Sequence, residues 1–199
     1  METLLLTNDE VRRLLSMSEV MEAVELAFRQ KGFGRVQMPA KTYLHYTLYN
    51  GDLRTMPSYI EELDVSAVKI VNVHPDNPSK RNLPTVMAVI VLIDPATGVP
   101  LSIMGGTAVT YMRTGAAGGV AAKYLARSDS RIVGLIGAGT QARSQLMGLA
   151  EVYKRRALEE VRVYDRNPEA QRRFVVEMKE SYGDMFKIVS AASTKEAVE

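Results

Sequence analysis

One short segment, Ile132 to Ala142, constrains the fold of this chain more than any other. Five largely apolar residues lead straight into Gly-Ala-Gly-Thr-Gln-Ala, which has the pattern G-x-G-x-x-A. Gly137 permits a tight turn, Gly139 lets a ligand approach the backbone, and Ala142 lets the following helix pack closely on the preceding strand. A helix that begins here offers free N–H groups and the positive end of its dipole to phosphate oxygens. The pattern therefore predicts a βαβ unit whose turn binds a dinucleotide.

The next predicted strand supports a dinucleotide site. It ends directly before Asp165, whose carboxylate can accept hydrogen bonds from the adenine ribose of NAD. The spacing from the glycines exceeds the usual ~20 residues, and we place the extra residues between Lys154 and Glu160. Arg166 can hold a 2′-phosphate, so NADP stays an alternative to NAD, and a helix N-cap is the alternative role of Asp165. The candidate cofactor-binding residues read from this pattern are Gly137, Ala138, Gly139, Thr140, Gln141, Ala142, Asp165 and Arg166.

The second part of the chain alternates between strands and helices. The predicted elements are a buried strand over 131–136, a helix over 140–154, a strand over 160–164, a helix over 168–182, a strand over 186–190 and a last helix from Thr194. Such alternation is typical of a parallel, doubly wound sheet. A complete sheet of this type has about six strands, so we expect a fragment or a truncated chain with an open sheet edge. We expect the 199-residue chain by itself to be poorly stable and nearly inactive, and appreciable turnover would contradict this.

The first part has a different pattern. Thr7 and Glu10 form a capping-box sequence, and a second helix runs from Ser18 to Gly32. Alternating residues and an Asn50-Gly51 turn predict a β-hairpin over 39–60. Further strands over 65–73, 86–93 and 99–104, joined by short turns, favour a mainly antiparallel sheet. A helix over 107–126 follows, and its many small residues imply close packing against another backbone.

We therefore predict an α/β chain with two domains. An N-terminal α+β domain with a mainly antiparallel sheet covers residues 1–128. A partial Rossmann-type, doubly wound domain covers residues 129–199.

Composition excludes several classes of function. Cysteine is absent, which excludes disulfides and thiolate sites, and the two histidines are too far apart in sequence to suggest a metal site. A net charge of +2 gives no argument for nucleic acid or a membrane surface. The basic run from Lys154 to Arg156 reads as a solvated face. No apolar run reaches the roughly 20 residues that span a bilayer, and no secretory signal is visible, so we expect a cytoplasmic protein.

Three cations are candidates for a substrate site. Lys69 lies inside an apolar strand, so it occupies either a site or a solvated sheet face. Burial would lower its pKa and allow proton exchange near neutral pH. Arg113, in the helix that leads into the second domain, can bind a carboxylate with two parallel N–H bonds. Lys41 lies on the first strand of the predicted hairpin.

Combined motifs identify the chain as resembling the ornithine cyclodeaminase/μ-crystallin family over almost its whole length. Within the family, the opening Met-Glu-Thr-Leu and the 83–88 and 113–127 segments look most like the archaeal alanine dehydrogenases. Besides the glycine motif, the matching segments are Met38-Pro-x-Lys41, Gly51-Asp-Leu-Arg-x-Met-Pro57, Lys69-Ile-Val-Asn-x-His-Pro-x-Asn-Pro78, Arg113-Thr-Gly-Ala-Ala117 and Ala121-Ala-Lys-Tyr-Leu-Ala-Arg127.

The resemblance implies an oxidoreductase of amino-acid metabolism. The expected reaction is the reversible, NAD-dependent oxidative deamination of L-alanine to pyruvate and ammonia. The alternatives are an ornithine cyclodeaminase, a ketimine reductase, and a μ-crystallin-like protein that binds a nucleotide and another ligand without catalysis. A cyclodeaminase needs an acidic residue for the distal amine, and the basic Arg54 at that place favours a small apolar substrate.

The resemblance also implies roles for individual residues. Lys69 is the catalytic, proton-handling residue, and Lys41 and Arg113 bind the substrate carboxylate. Arg54 lies near the substrate side chain, and Thr114 joins the cofactor-binding residues. A catalytic aspartate of the family has no counterpart in this sequence. The family forms dimers through the first domain, so we expect a homodimer.

Overall fold

A computed structural model describes residues 2–154 and 158–199. Two residues of the predicted basic run, Arg155 and Arg156, lie outside the described residues. So does part of the 154–160 stretch, to which we assigned the extra residues between the glycines and Asp165. The chain separates into two compact units. The first comprises residues 2–15 and Glu25–Thr110, and the second comprises Ser16–Val24 and the described residues from Tyr111 onwards. The domain boundary that the sequence predicts between residues 128 and 129 stays a prediction.

The first unit is built on a seven-stranded sheet. Its strands are β1 (Leu4–Leu6), β2 (Val36–Gln37), β3 (Thr42–Tyr46), β4 (Gly51–Ile60), β5 (Val65–Val73), β6 (Val86–Ile93) and β7 (Pro100–Gly105). Their order in the sheet is β1-β7-β6-β5-β4-β2, and β3 also pairs with β4. The β1–β7 pair is parallel and the other described pairs of this sheet are antiparallel, which confirms the predicted mainly antiparallel sheet. The helices that begin in this part of the chain are α1 (Asn8–Leu14), α2 (Met17–Gly32), α3 (Asn77–Arg81) and α4 (Gly106–Leu125), with a 3-10 turn over Glu61–Leu63.

Local hydrogen bonds explain where the first helices begin. The predicted capping box is present, since the Thr7 hydroxyl accepts from the Glu10 N–H and the Glu10 carboxylate accepts from the Thr7 N–H. Helix α2 begins at Met17, earlier than the predicted Ser18, because the Ser16 hydroxyl accepts from the Glu19 N–H.

The hairpin between β3 and β4 begins its return strand earlier than predicted. Tyr46 pairs with Gly51, so Gly51 already belongs to β4, and Asn50 ends the turn with a φ of 45°. Asn50 takes this left-handed conformation more readily than most residues. A Cβ at Gly51 would also overlap the His74 ring, so any other residue here would force that side chain to move.

The second unit contains a three-stranded parallel sheet with the order β10-β9-β8. Its elements after α4 are β8 (Ile132–Ile136), α5 (Thr140–Tyr153), β9 (Glu160–Tyr164), α6 (Pro168–Tyr182), β10 (Lys187–Ser190) and α7 (Thr194–Val198). Val133 and Leu135 of β8 pack on a core that includes Leu146 of α5 and Phe174 of α6. Gly134 points to the opposite face, where a Cβ would collide with the backbone of α7. Helices therefore cover both faces, as the predicted doubly wound fold requires.

Strand β8 is less buried than the sequence predicted. Ile132 is 44% exposed and Ile136 is 65% exposed, whereas Val161 and Val163 of β9 are fully buried. The difference arises because β8 lies at one edge of the described sheet. The short helix α7 covers only part of the face that carries Gly134, Ile132 and Ile136.

Helices α4 and α5 approach each other backbone to backbone. A Cβ at Gly115 would collide with the Ser144 carbonyl, and a Cβ at Gly148 would collide with the Gly115 carbonyl. A Cβ at Gly119 would lie 2.7 Å from the Gly148 carbonyl oxygen. This confirms that the small residues of α4 permit close packing, and the partner is the helix that follows the glycine turn.

We predict that Gly115→Ala destabilises the second unit by about 1–3 kcal/mol, because an added methyl group would force two helix backbones apart. Thermal and urea unfolding of the purified chain measures this. Gly32→Ala is the matched control, since a Cβ at the end of α2 has no heavy atom within 4 Å. Equal stability of the two variants would contradict the tight packing.

Candidate functional site

The glycine turn between β8 and α5 is open on one side. Gly137 has a φ of 98°, which favours glycine, and its N–H donates to the Tyr164 carbonyl at 2.7 Å. Gly139 is different, because its φ of −82° and ψ of −169° suit any residue. A Cβ at Gly139 would also meet no protein atom within 4 Å. The fold itself therefore does not require glycine at residue 139, whereas the close approach of a ligand would.

Two backbone donors of this turn are unused. Within the part of the chain that the structure describes, no protein atom accepts a hydrogen bond from the N–H of Gly139 or of Thr140. Gly139 is the N-cap of α5, and no side chain caps this helix end. The free N–H groups and the positive end of the α5 dipole suit an anion such as a phosphate.

Asp165 closes the other side of the turn. One carboxylate oxygen accepts from the Ala138 N–H at 2.7 Å, and the other accepts from the Asn167 N–H at 2.8 Å. The bonds from Asn167 and then Ala138 lower the pKa of Asp165 below its ordinary value, with a smaller contribution from Arg166. The N-cap alternative for Asp165 is wrong, because Asn167 caps α6 by accepting from the N–H groups of Glu169 and Ala170. Both oxygens of Asp165 retain lone pairs for a further donor.

An open cavity of about 420 Å³ lies at the carboxyl ends of β9 and β10. This is where open parallel sheets bind ligands. Gln171 shapes it, because its side chain accepts from the Asp165 N–H at 3.0 Å and donates to the Ala191 carbonyl at 2.9 Å. The residues that line the cavity are Tyr164, Asp165, Arg166, Pro168, Gln171, Arg172, Ser190, Ala191 and Ala192. Arg172 is a second cation beside Asp165 that sequence reasoning missed.

In the first unit, the register of the sheet brings candidate residues to one face. Lys69 of β5 is half-buried and pairs with Met56 of β4 and Ile90 of β6. Arg54 pairs with Val71, two residues along β5, so Arg54 and Lys69 share a face. Lys41 directly precedes β3 rather than lying on it, because the ladder with β4 begins at Thr42.

Arg54 is already bound by a carboxylate. Its Nε and Nη2 donate to the two oxygens of Asp52 at 2.8 and 2.7 Å. These bonds raise the pKa of Arg54 and, as the first cause, lower the pKa of Asp52. The guanidinium also lies over the Tyr43 ring, 5.2 Å from its centroid. Sequence reasoning missed Asp52, although two residues separated by one position on a strand share a face.

Arg113 and Lys41 have no ion-pair or hydrogen-bond partner among residues 2–154 and 158–199. Arg113 lies in the part of α4 that belongs to the second unit. Residue 113 as a whole is exposed, but neighbouring protein atoms remove part of the water around the guanidinium and thereby lower the pKa of Arg113. The arginine still stays charged at neutral pH. Thr114 uses its carbonyl to accept from the Gln145 side chain of α5 at 3.0 Å.

The described ranges contain neither a metal-ion cluster nor a membrane-spanning helix. No cluster of three or more His, Asp or Glu side chains there could hold a metal ion. No helix there is both long enough and apolar enough to cross a bilayer.

The sequence matches the model of the ornithine cyclodeaminase/mu-crystallin family over residues 1–199. It is 50% identical over 175 residues to an alanine dehydrogenase of Archaeoglobus fulgidus, a match that covers 88% of this chain and 52% of the relative. The chain thus spans about half the length of the curated relatives it matches.

Two solved structures resemble the fold closely. One is an archaeal alanine dehydrogenase dimer with bound NAD, at a TM-score of 0.87 and 47% identity, covering 96% of this chain and 56% of that one. The other is the Δ1-pyrroline-2-carboxylate reductase of Thermococcus litoralis in complex with NADH and L-proline. Its TM-score is also 0.87 at 47% identity, covering 96% of this chain and 58% of that one.

We predict that Asp165 stabilises the chain only while it is ionised. Because its folded-state pKa is lowered, the stabilisation is complete above the ordinary value of about 4 and is lost as the pH falls through the folded pKa. Thermal unfolding of Asp165→Asn should show a deficit at pH 7 that shrinks below about pH 4. Asp184→Asn, at an exposed residue, is the control. A deficit independent of pH would contradict the assigned bonds.

Proposed function

Since the chain belongs to the ornithine cyclodeaminase/mu-crystallin family, we propose that it forms the substrate-binding and nucleotide-binding parts of an NAD-dependent amino-acid dehydrogenase. The proposed reaction is the reversible oxidation of L-alanine to pyruvate and ammonia. The observation that carries the proposal is Gly139, a residue that the fold does not require to be glycine, beside two unused N–H donors.

The glycine turn fits the pyrophosphate of NAD. Gly139 and Thr140 would donate their N–H groups to phosphate oxygens, and the absence of a side chain at Gly139 would admit them. Asp165 would accept from the adenine ribose, since its oxygens retain lone pairs beyond the bonds from Ala138 and Asn167. Arg166 and Arg172 line the same cavity, so NADP stays an alternative. When bound, the nicotinamide supplies the hydride acceptor.

Lys41 and Arg113 are the proposed ligands of the substrate carboxylate. Their lack of protein partners in the described part of the chain supports this. Lys69 is the proposed proton acceptor. Lys69 Nζ would accept a proton from the substrate nitrogen, and transfer of the α-hydrogen as hydride to the bound cofactor would then leave an imine. Water then adds to this imine, and pyruvate and ammonia leave.

The Asp52–Arg54 pair favours a small apolar substrate over ornithine. Arg54 neutralises the Asp52 carboxylate through two hydrogen bonds, so this pair presents no net negative charge to the distal amine of a diamino acid. A purely structural role has less support, because a scaffold does not need Lys41, Lys69 and Arg113.

Reduction of a cyclic imine is the second candidate. The Thermococcus litoralis pyrroline-carboxylate reductase matches this chain at the same TM-score and identity as the archaeal alanine dehydrogenase. Its chemistry would reduce the C=N bond of Δ1-pyrroline-2-carboxylate to L-proline. The proposed carboxylate ligands and Lys69 suit both reactions, because both substrates are small α-carboxylates with a reacting nitrogen.

We predict turnover of L-alanine with NAD by the full-length protein, followed through the absorbance of NADH. Pyruvate with ammonia should support the reverse reaction. L-Proline and Δ1-pyrroline-2-carboxylate, tested in parallel, decide between the two candidates. Activity confined to the proline pair would replace the substrate and retain the cofactor, whereas nucleotide binding without turnover would contradict both.

We predict that Lys69→Met lowers kcat by about 100-fold or more, because proton transfer by a positioned side chain contributes at least that much. The Kd for NADH should stay nearly unchanged. Lys80→Met is the control, since Lys80 is exposed and pairs only with Asp76 in the described contacts. Retention of kcat by Lys69→Met would remove Lys69 from the mechanism.

We propose a homodimer formed through the sheet of the first unit. The face opposite Lys69 carries Leu5, Leu44 and Ile103, which are 70%, 61% and 38% exposed. Covering these side chains would remove apolar surface from water. Sedimentation equilibrium should give twice the chain mass and a monomer for Leu44→Asp. Leu14→Asp, equally apolar and 70% exposed on α1, should leave the dimer intact.

A further inference from the structure

We infer that Arg143 is a positioning residue that fixes the glycine turn in the conformation able to bind a pyrophosphate. The inference rests on the proposed nucleotide site and adds to it a residue outside the G-x-G-x-x-A motif. Arg143 is the first residue after Ala142, in the first turn of α5. A helical side chain at this place points back toward the N-terminus of its helix, and so toward the turn.

Arg143 binds two carbonyl groups of the turn. Its Nη1 donates to the Ala138 oxygen at 2.7 Å and to the Gly139 oxygen at 3.1 Å. The Gly139 carbonyl belongs to the N-cap and would lie along the helix axis in any case. The Ala138 carbonyl lies outside the helix, so the bond from Arg143 sets its direction.

The direction of the Ala138 carbonyl determines where the Gly139 N–H points. A trans peptide group is planar, and its C=O and N–H point in opposite directions. Because Arg143 fixes the Ala138 carbonyl, it also fixes the direction of the Gly139 N–H, which has no protein acceptor among the described residues. A Cβ at residue 139 would meet no heavy atom within 4 Å, so a ligand has room beside this donor. The Thr140 N–H is oriented by the helix itself, because the Gly139 carbonyl of the same peptide group lies along the helix axis.

Arg143 is itself held rigidly. Its Nε donates to Glu177 of α6 at 2.7 Å, and its guanidinium lies over the Phe174 ring, 5.3 Å from the centroid. The side chain is only 23% exposed. Glu177 neutralises the guanidinium, so Arg143 acts by orienting the backbone rather than by offering its charge to a phosphate.

NADH titration of the full chain, followed by fluorescence, tests the inference together with NMR order parameters of the Gly139 amide. Arg143→Met should weaken NADH binding about tenfold, because two charge-assisted hydrogen bonds to the turn are lost. The order parameter should fall from about 0.85 toward 0.6. Arg143→Lys should restore binding in part, since an ammonium can donate to the Ala138 carbonyl without the planar fork of arginine.

Arg162→Met is the matched control. Arg162 is 25% exposed and pairs with Glu160 on β9, away from the turn. The Arg162→Met variant should lower the free energy of unfolding as much as Arg143→Met does and leave NADH binding unchanged. Equal weakening by both variants would show a general structural effect and would overturn the inference.

The dependence of Kd on salt separates positioning from direct charge contact. Wild type and Arg143→Met should share one slope of log Kd against log salt, since a neutralised positioning residue contributes no ion pair to the ligand. A shallower slope for the variant would place Arg143 on the phosphate and overturn the inference. If wild type binds no nucleotide, the proposed function fails. The order parameter then decides the inference alone, and an unchanged value would overturn it.

Discussion

The hydrogen bond between the Asp165 carboxylate and the Ala138 N–H joins the end of β9 to the glycine turn. The arrangement of the proposed nucleotide site depends on this contact. With the Gly137 N–H bound to Tyr164 and two carbonyls bound to Arg143, most polar backbone atoms of the turn have a fixed protein partner. The N–H groups of Gly139 and Thr140 remain, and neither has a protein acceptor among the described residues. A turn so constrained offers donors to an anion without having to reorganise, which lowers the cost of binding.

The first unit organises its candidate residues by a different principle, the register of an antiparallel sheet. Pairing fixes which side chains share a face, so Lys69 and Arg54 lie on one side, and the exposed residues Leu5, Leu44 and Ile103 lie on the other. Asp52 then turns Arg54 from a free cation into half of a neutral pair. Lys41 of the first unit and Arg113 of the second unit are the cations proposed to bind a carboxylate substrate, and neither has an ion-pair partner among the described residues.

Much of this was predictable from sequence, because the relevant signals are local. The strand bounds of β5, β6 and β9, the capping box of Thr7 and the G-x-G-x-x-A turn follow from periodicity, caps and glycines within a few residues. Contacts set by tertiary packing were not predictable in this way. Arg143 donates to Glu177, which is 34 residues away in sequence. The exposure of β8 depends on its place at the edge of the described sheet. Strand alternation could have predicted the Asp52–Arg54 ion pair, because residues i and i+2 of a strand share a face. The prediction for Arg54 did not take Asp52 into account.

We propose that glycine at residue 139 serves a ligand rather than the fold. Its backbone angles suit any residue, and asparagine is among the best N-cap residues. Gly139→Asn should therefore keep or raise the unfolding temperature while abolishing NADH binding, measured by fluorescence titration against wild type. Loss of binding with an intact fold is the result that the proposed site predicts. Binding of NADH by Gly139→Asn with the affinity of wild type would contradict it.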